Sequence, residues 1–168
     1  GLDVYRTAVG YYNKEEWKLA AENFQSFLKN HGQHPRAENA RFYYGLTLVK
    51  LDNFKQARDV LRAFVKDYPR SRERIVAGYW IGHACYFLDD FTGAETELSQ
   101  FLETAEQDPL REWALPYLAD SELRLKKADA AARHFQQALD AFPQGEMSED
   151  ARFGLARCFE QLKKIPEA

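Results

Sequence analysis

The chain has 168 residues, of which 45% are apolar and 14% aromatic, so it can form one domain or a short repeat array with a sizeable core. Its formal net charge of -3 argues against a generally basic nucleic-acid-binding protein. No apolar run approaches the roughly 18 residues that a membrane-spanning helix needs. Its two cysteines are too few for a disulfide framework.

Small and apolar residues recur along the chain with a period of 37 residues. We count positions within each repeat, so that residues 1, 38, 75, 112 and 149 all occupy position 1. Position 20 is alanine in every repeat, and position 8 is alanine or glycine. Large apolar side chains recur at positions 17, 24 and 27. The position-20 alanines are Ala20, Ala57, Ala94, Ala131 and Ala168, and the position-8 residues are Ala8, Gly45, Gly82, Ala119 and Ala156.

In chain order, the spacing predicts two helices in each repeat, because apolar residues three, four and seven apart share one helix face. Helix A covers about positions 1 to 14, and helix B covers about positions 17 to 28. The polar residues between the two helices, such as Asp52-Asn53 and Asp89-Asp90, predict a short turn. Small side chains at positions 8 and 20 allow the two backbones to approach closely.

Glycine and proline mark the connection from each helix B to the next helix A, as in Gly32 with Pro35 and Pro143 with Gly145. Glycine at these sites predicts a left-handed helix C-cap, and proline stops the helix from continuing. The repeats therefore cover about residues 1–37, 38–74, 75–111 and 112–148, with a partial fifth repeat at 149–168. Residues 1–168 are predicted to form a single array.

This pattern resembles the tetratricopeptide repeat. The resemblance covers the whole chain, although the period is 37 instead of 34 residues and position 27 is Phe in three repeats. It implies an all-α fold in which antiparallel helix pairs stack into a right-handed α-α superhelix, a solenoid with helices A on the concave side. The corner Tyr68-Pro69-Arg70-Ser71 is similar to repeats of bacterial outer-membrane assembly lipoproteins and Tol–Pal coordinators. The compartment stays open between the bacterial periplasm or envelope and the cytoplasm.

In this family, partners usually contact helix A at positions 2, 5, 9, 12 and 13, so the resemblance implies an aromatic-lined groove for a peptide or a helix. The alternative is that positions 5 and 12 only pack helix A against its neighbour. The candidate contact residues are Tyr5, Tyr12, Asn13, Asn39, Phe42, Leu46, Val76, Tyr79, His83, Tyr86, Trp113 and Asp120.

The residue pattern contains no convincing catalytic set, so we expect no enzyme activity, no cofactor and no metal. His83 and Cys85 lie two residues apart on a helix and point in different directions. His31 and His34 flank a loop glycine, where solvation is the simpler interpretation than metal binding. No glycine-rich phosphate loop or nucleophile elbow is present.

The expected function is a non-catalytic scaffold that binds a segment of another protein, without nucleic acid and without a membrane span. Two alternatives are a self-assembly module and a regulatory arm of a larger enzyme or envelope complex. Charge is segregated, because residues 36–74 carry net +5 and residues 75–122 carry net -9. These charges are either solvated outer faces or a bipolar surface that orients a partner or a second copy.

The ends of the sequence suggest a fragment, since it begins at Gly1 without methionine and ends at Ala168 within a repeat. We therefore expect that the last helix, with Arg152, Phe153 and Phe159 exposed, is covered by further chain or by a second copy.

Overall fold

The computed structural model describes residues 1–162, and every regular element in that range is an α-helix. Helix A occurs five times and helix B four times among these residues. The helices are α1 (Leu2–Asn13), α2 (Trp17–His31), α3 (Ala37–Lys50), α4 (Phe54–Asp67), α5 (Arg74–Phe87), α6 (Phe91–Thr104), α7 (Arg111–Arg124), α8 (Ala128–Ala141) and α9 (Ser148–Gln161). The predicted all-α architecture of antiparallel helix pairs is confirmed. From α3 onward each helix A begins 37 residues after the previous one, and helix B is two to three residues longer than predicted.

The turns from helix A to helix B share one backbone geometry. In each turn the residue at position 15 has a positive φ, between 55° and 65°. The next residue donates its backbone N–H to the carbonyl five residues earlier, as Asn53 does to Leu48 at 2.9 Å. This is the helix-ending arrangement that usually contains glycine, but here the residues are Glu15, Asp52, Asp89 and Lys126.

The glycines that separate repeats do not have the predicted role. No glycine among residues 1–162 has a positive φ, and Gly32 has φ -62°, in the right-handed region. The prediction of left-handed glycine C-caps between repeats was therefore wrong. The left-handed residue lies within each of the first four repeats instead, where the hydrogen bonds of a three-residue turn hold a non-glycine residue in that conformation.

The structure separates into two compact units, Gly1–Ala84 and Cys85–Ala168, and the division falls within α5. In the first unit, Ala20, Phe24 and Phe27 of α2 are fully buried, as are Ala57, Leu61 and Phe64 of α4. A Cβ atom on Gly45 would lie 2.5 Å from Leu61 Cδ2, so the Leu61 side chain of α4 occupies the space that a larger residue at this position of α3 would need. The small residues therefore set the distance between paired helices, as the repeat pattern predicted.

The second unit uses the same buried positions. Ala94, Leu98 and Phe101 of α6 are buried, and so are Ala131, Phe135 and Ala138 of α8. The position-20 alanine of the fifth repeat, Ala168, lies outside the described residues. Ala156 at position 8 of α9 is exposed, although the other position-8 residues are buried, and Phe153 is 68% exposed.

Candidate functional site

The predicted contact residues at position 5 are mostly core residues. Phe42 is 7% exposed and Tyr79 is 2% exposed. The ring centroids of Phe42 and Phe64 are 5.5 Å apart, so Phe42 packs on helix B of its own repeat. Tyr5 is half-buried, and its ring centroid lies 5.5 Å from that of Phe27. At this position, packing within the repeat therefore leaves little surface for a partner.

Position 6, which the sequence interpretation did not single out, carries the more accessible aromatic residues. Tyr43, Trp80 and Tyr117 lie 37 residues apart, and each is half-buried. One residue along a helix corresponds to a rotation of about 100°, so positions 5 and 6 cannot share one environment. The signal was present in the sequence, as an aromatic residue at position 6 in three consecutive repeats.

The first-unit surface is defined here as Tyr12, Tyr43, Trp80 and His83, all half-buried. The ring centroids of Tyr12 and Tyr43 are 5.1 Å apart, with the planes at 67°. Trp80 and His83 have ring centroids 5.4 Å apart, also in an edge-to-face arrangement. Tyr12, Tyr43 and Trp80 all pack on the same apolar core cluster. These contacts fix the rings while leaving part of each ring open to solvent.

Charge near the first-unit surface is limited. Lys50 Nζ lies 6.0 Å from the Trp17 ring centroid, at the outer limit of a cation–π contact. Burial, with a smaller contribution from the Lys50 charge and an opposing one from Asp52, lowers the pKa of His83 from 6.5 to about 4. His83 is therefore neutral at physiological pH and belongs to an aromatic, uncharged surface.

The second-unit surface is defined here as Tyr86, Phe87, Tyr117, Asp120 and Arg124. The ring centroids of Tyr86 and Tyr117 are 4.8 Å apart, and Phe87 lies 5.9 Å from Tyr117. Phe87 is 46% exposed, which makes it the most accessible aromatic ring of this surface. As in the first unit, helix A side chains at and beside position 12 group around a position-6 aromatic residue.

Asp120 connects the polar side chains of the second-unit surface. The Tyr86 hydroxyl donates to Asp120 Oδ2 at 2.9 Å, and Arg124 Nε lies 3.3 Å from the same oxygen. Arg157 of α9 lies 3.5 Å from Asp120 Oδ1. Burial raises the pKa of Tyr86 above its usual value, and the Asp120 carboxylate adds to that effect. Tyr86 therefore stays a hydrogen-bond donor that orients the carboxylate.

The remaining predicted contact residues differ in their accessibility. Asn13 and Asn39 are exposed. Leu46, Val76 and Trp113 are half-buried, so each keeps some surface that a partner could contact. None of these five belongs to the two surfaces defined above.

The described residues offer little support for other chemistry. Among residues 1–162 there is no group of three or more His, Cys, Asp or Glu that could hold a metal ion. Both cysteines are buried, and burial raises the pKa of the Cys158 thiol to about 11, so it is not a thiolate at neutral pH. None of the described helices combines the length and the apolar character that crossing a membrane requires.

Comparison with protein families identifies the repeat. A family profile described as tetratricopeptide repeat matches residues 5–72, 79–146 and 118–168, which together span most of the sequence. The chain belongs to the tetratricopeptide repeat family. The predicted family resemblance is thereby confirmed. A comparison with curated protein sequences finds no match.

Solved structures with the same fold come from several organisms. MamA residues 41 to the end, from Desulfovibrio magneticus RS-1, is 22% identical, and the match covers 82% of this chain and 72% of that one with a TM-score of 0.67. A tetratricopeptide repeat protein from Parabacteroides merdae is 13% identical, with 96% and 59% covered and a TM-score of 0.73. A putative kinesin light chain of Podosopora anserina, with nearly identical TPR-like repeats, is 13% identical, with 96% and 86% covered and a TM-score of 0.72. These identities support a shared fold.

Proposed function

We propose that this tetratricopeptide repeat chain is a non-catalytic scaffold that binds a segment of another protein on the aromatic surfaces of its A helices. The observation that supports this proposal is the recurrence of a half-buried aromatic residue at position 6 in three consecutive repeats, namely Tyr43, Trp80 and Tyr117. Aromatic side chains are frequent anchors in protein interfaces because each buries a large area with few rotatable bonds. The fold itself is one that generally serves protein–protein interaction.

The two surfaces suit ligands of different chemistry. The first-unit surface is aromatic and uncharged at neutral pH, since His83 is neutral there, and it favours apolar side chains. The second-unit surface adds Arg124, which keeps 47% of its side chain exposed while it pairs with Asp120. An arginine beside aromatic rings favours an acidic or carbonyl group next to an apolar side chain. A peptide or a helix with apolar anchors would suit either surface.

Preformed rings reduce the cost of binding. Tyr43 packs edge-on against Tyr12, and Trp80 packs edge-on against His83, so these side chains lose little rotamer freedom when a partner binds. Short segments bound in this manner have dissociation constants on the order of micromolar, or about -8 kcal/mol.

The decisive experiment selects binding peptides from a displayed random library with the intact chain and then measures their affinity for substituted chains by calorimetry. Trp80→Ala or Tyr117→Ala removes an accessible anchor, and we expect the dissociation constant to rise by about 10-fold or more for peptides that use that surface. Tyr79→Ala is not a suitable test, because Tyr79 is 2% exposed and its loss acts on folding.

Phe153→Ala is the matched control, since it removes a ring that is 68% exposed but lies outside both surfaces. Its affinity for the selected peptides should equal that of the unsubstituted chain. Circular dichroism and thermal melting establish that all variants are folded. Unchanged affinity in both Trp80→Ala and Tyr117→Ala would contradict the proposal that a partner binds on the aromatic surfaces.

A further inference from the structure

The two compact units carry charges of opposite sign. Residues 1–84 contain 14 basic and 9 acidic side chains, which gives a net charge of +5. Residues 85–168 contain 9 basic and 17 acidic side chains, which gives a net charge of -8. Because both units have the same helix-pair scaffold, equivalent exposed positions of their helices can be compared directly.

The B helices show an inversion of charge at three exposed positions. In α2, positions 18, 22 and 29 are Lys18, Glu22 and Lys29. In α8, the same positions are Asp129, Arg133 and Asp140, so each sign is reversed. All six side chains belong to exposed residues. The spacing of four and seven residues places each set along one side of its helix.

Position 25, which lies between the charged positions 22 and 29, carries the same neutral residue in α2 and α8. Position 25 is Gln25 in α2 and Gln136 in α8, and both residues are exposed. In α4 the corresponding residues are Lys55, Asp59, Arg62 and Lys66, so α4 has an additional cation where α8 has an amide. The α2 stripe is therefore the closer complement of the α8 stripe.

Stabilisation within a single helix explains only part of this pattern. Opposite charges four residues apart, such as Lys18 and Glu22, support a helix through i, i+4 attraction. That effect requires alternating signs within each helix, but it does not require the signs of α8 to be the reverse of those in α2. Electrostatic complementarity between two separate surfaces does require such a reversal.

We propose that the α2 stripe (Lys18, Glu22 and Lys29) of one copy docks on the α8 stripe (Asp129, Arg133 and Asp140) of a second copy of this chain. Aligned in the same direction, the two stripes place opposite charges in register at all three positions. A uniform polyanion, such as nucleic acid or an anionic membrane, fits less well, because Glu22 would repel it at the centre of the stripe. In the proposed contact, Glu22 of one copy faces Arg133 of the second copy. This contact is independent of the aromatic surfaces.

The association is expected to be weak and sensitive to salt, because exposed ion pairs contribute little individually and are screened. Sedimentation velocity on the intact chain at low ionic strength should show a reversible increase in mean mass with concentration. About 1 M salt, where the Debye length is about 3 Å, should return the chain to monomers. A chain that stays monomeric at low salt at every concentration, or an association that salt does not weaken, would overturn the proposal.

Charge reversal identifies the contacting helices. We expect Lys18→Glu with Lys29→Glu, and separately Asp129→Lys with Asp140→Lys, to weaken self-association by about 10-fold or more. An equimolar mixture of these two variants should associate again, because one now supplies an acidic α2 and the other a basic α8. Failure of the mixture to associate, with both variants folded by circular dichroism, would contradict docking of α2 on α8.

The matched control is Lys55→Glu with Lys66→Glu, which makes the same substitutions at the same repeat positions of α4. We expect it to change self-association by less than about 2-fold. If it weakens association as much as the α2 variant does, the effect reflects overall charge and the assignment to α2 is wrong.

Discussion

The second helix pair (α3 with α4) and the fourth (α7 with α8) have the same geometry, but they fill two equivalent positions with side chains of different polarity. At position 11, Leu48 is 3% exposed in α3 and Glu122 is 4% exposed in α7. At position 23, the half-buried residues are Val60 in α4 and His134 in α8. His134 Nδ1 lies 2.7 Å from Glu122 Oε2, so an ionisable pair takes the place of an aliphatic one.

The helices themselves are unaffected by this exchange. All four are 14 residues long, and their first residues are separated by 17 residues within each pair. Both A helices also carry a buried hydroxyl at position 10, where Thr47 and Ser121 each donate to the carbonyl four residues earlier at 2.7 Å. The repeat geometry therefore depends on the small and large apolar positions, while position 11 tolerates an apolar or a paired polar side chain.

The largest expected effect comes from breaking the Glu122–His134 pair. His134→Val should lower the free energy of unfolding by about 3 kcal/mol, because the Glu122 carboxylate stays buried without its partner. Urea denaturation followed by circular dichroism measures this change.

The double variant Glu122→Leu with His134→Val serves as the control, because it gives the fourth pair the apolar residues of the second. We expect its stability to equal or exceed that of the unsubstituted chain, since replacing a buried hydrogen-bonded polar pair with apolar residues is often neutral or stabilising. A loss of less than about 1 kcal/mol for His134→Val alone would mean that the Glu122 side chain reaches water. The two helix pairs would then differ in sequence but not in the energetics of position 11.

The sequence predicted the helix pairs well because their positions depend on local, repeated features. The alanines at position 20 and the large residues at position 24 are buried wherever the structure describes them. The candidate contact residues were harder to predict, since Phe42 and its neighbour Tyr43 are both aromatic. Only their rotation about the helix decides that Phe42 packs on Phe64 while Tyr43 stays half-exposed.

The pairing of Glu122 with His134 was also beyond the sequence interpretation. These residues are 12 apart, and nothing in their spacing indicates a contact until the register of α7 against α8 is known. A periodic apolar pattern gives that register, but it does not reveal which exceptions to the pattern meet each other. The available signal was a polar residue at a repeat position that is otherwise apolar, because such a residue needs a polar partner on a neighbouring helix.

The next effect, which reaches a similar size only at low pH, tests a half-buried ionisable group in the first unit. Because the pKa of His83 is about 4 in the folded chain and 6.5 in its usual state, the unfolded chain binds more protons between these values. Stability from neutral His83 is therefore complete above about pH 6.5 and is lost as the pH falls toward 4. The expected loss is up to about 3 kcal/mol.

His83→Leu, which copies Leu46 at position 9 of the preceding repeat, removes this proton uptake. Unfolding free energies measured by urea titration from pH 7 to 4 should fall less steeply for the variant than for the unsubstituted chain. The carboxylates titrate in both proteins, so the difference between the two curves isolates His83. Parallel curves would show that the folded chain binds a proton at His83 as readily as the unfolded chain does. The first unit would then tolerate a charged His83 among its aromatic residues.

The smallest effect concerns the feature that both units share, the left-handed residue at position 15. A lysine in this conformation is strained because its Cβ crowds the backbone, whereas glycine is not, and aspartate tolerates the conformation better than lysine. Lys126→Gly in the second unit should therefore raise the free energy of unfolding by about 1 kcal/mol, and Asp52→Gly in the first unit should raise it by less. Thermal melting of the two variants measures both gains. Destabilisation by Lys126→Gly would mean that the side chain contributes more to the turn than its strained backbone costs, and that the turns of the two units are alike in geometry but not in energetics.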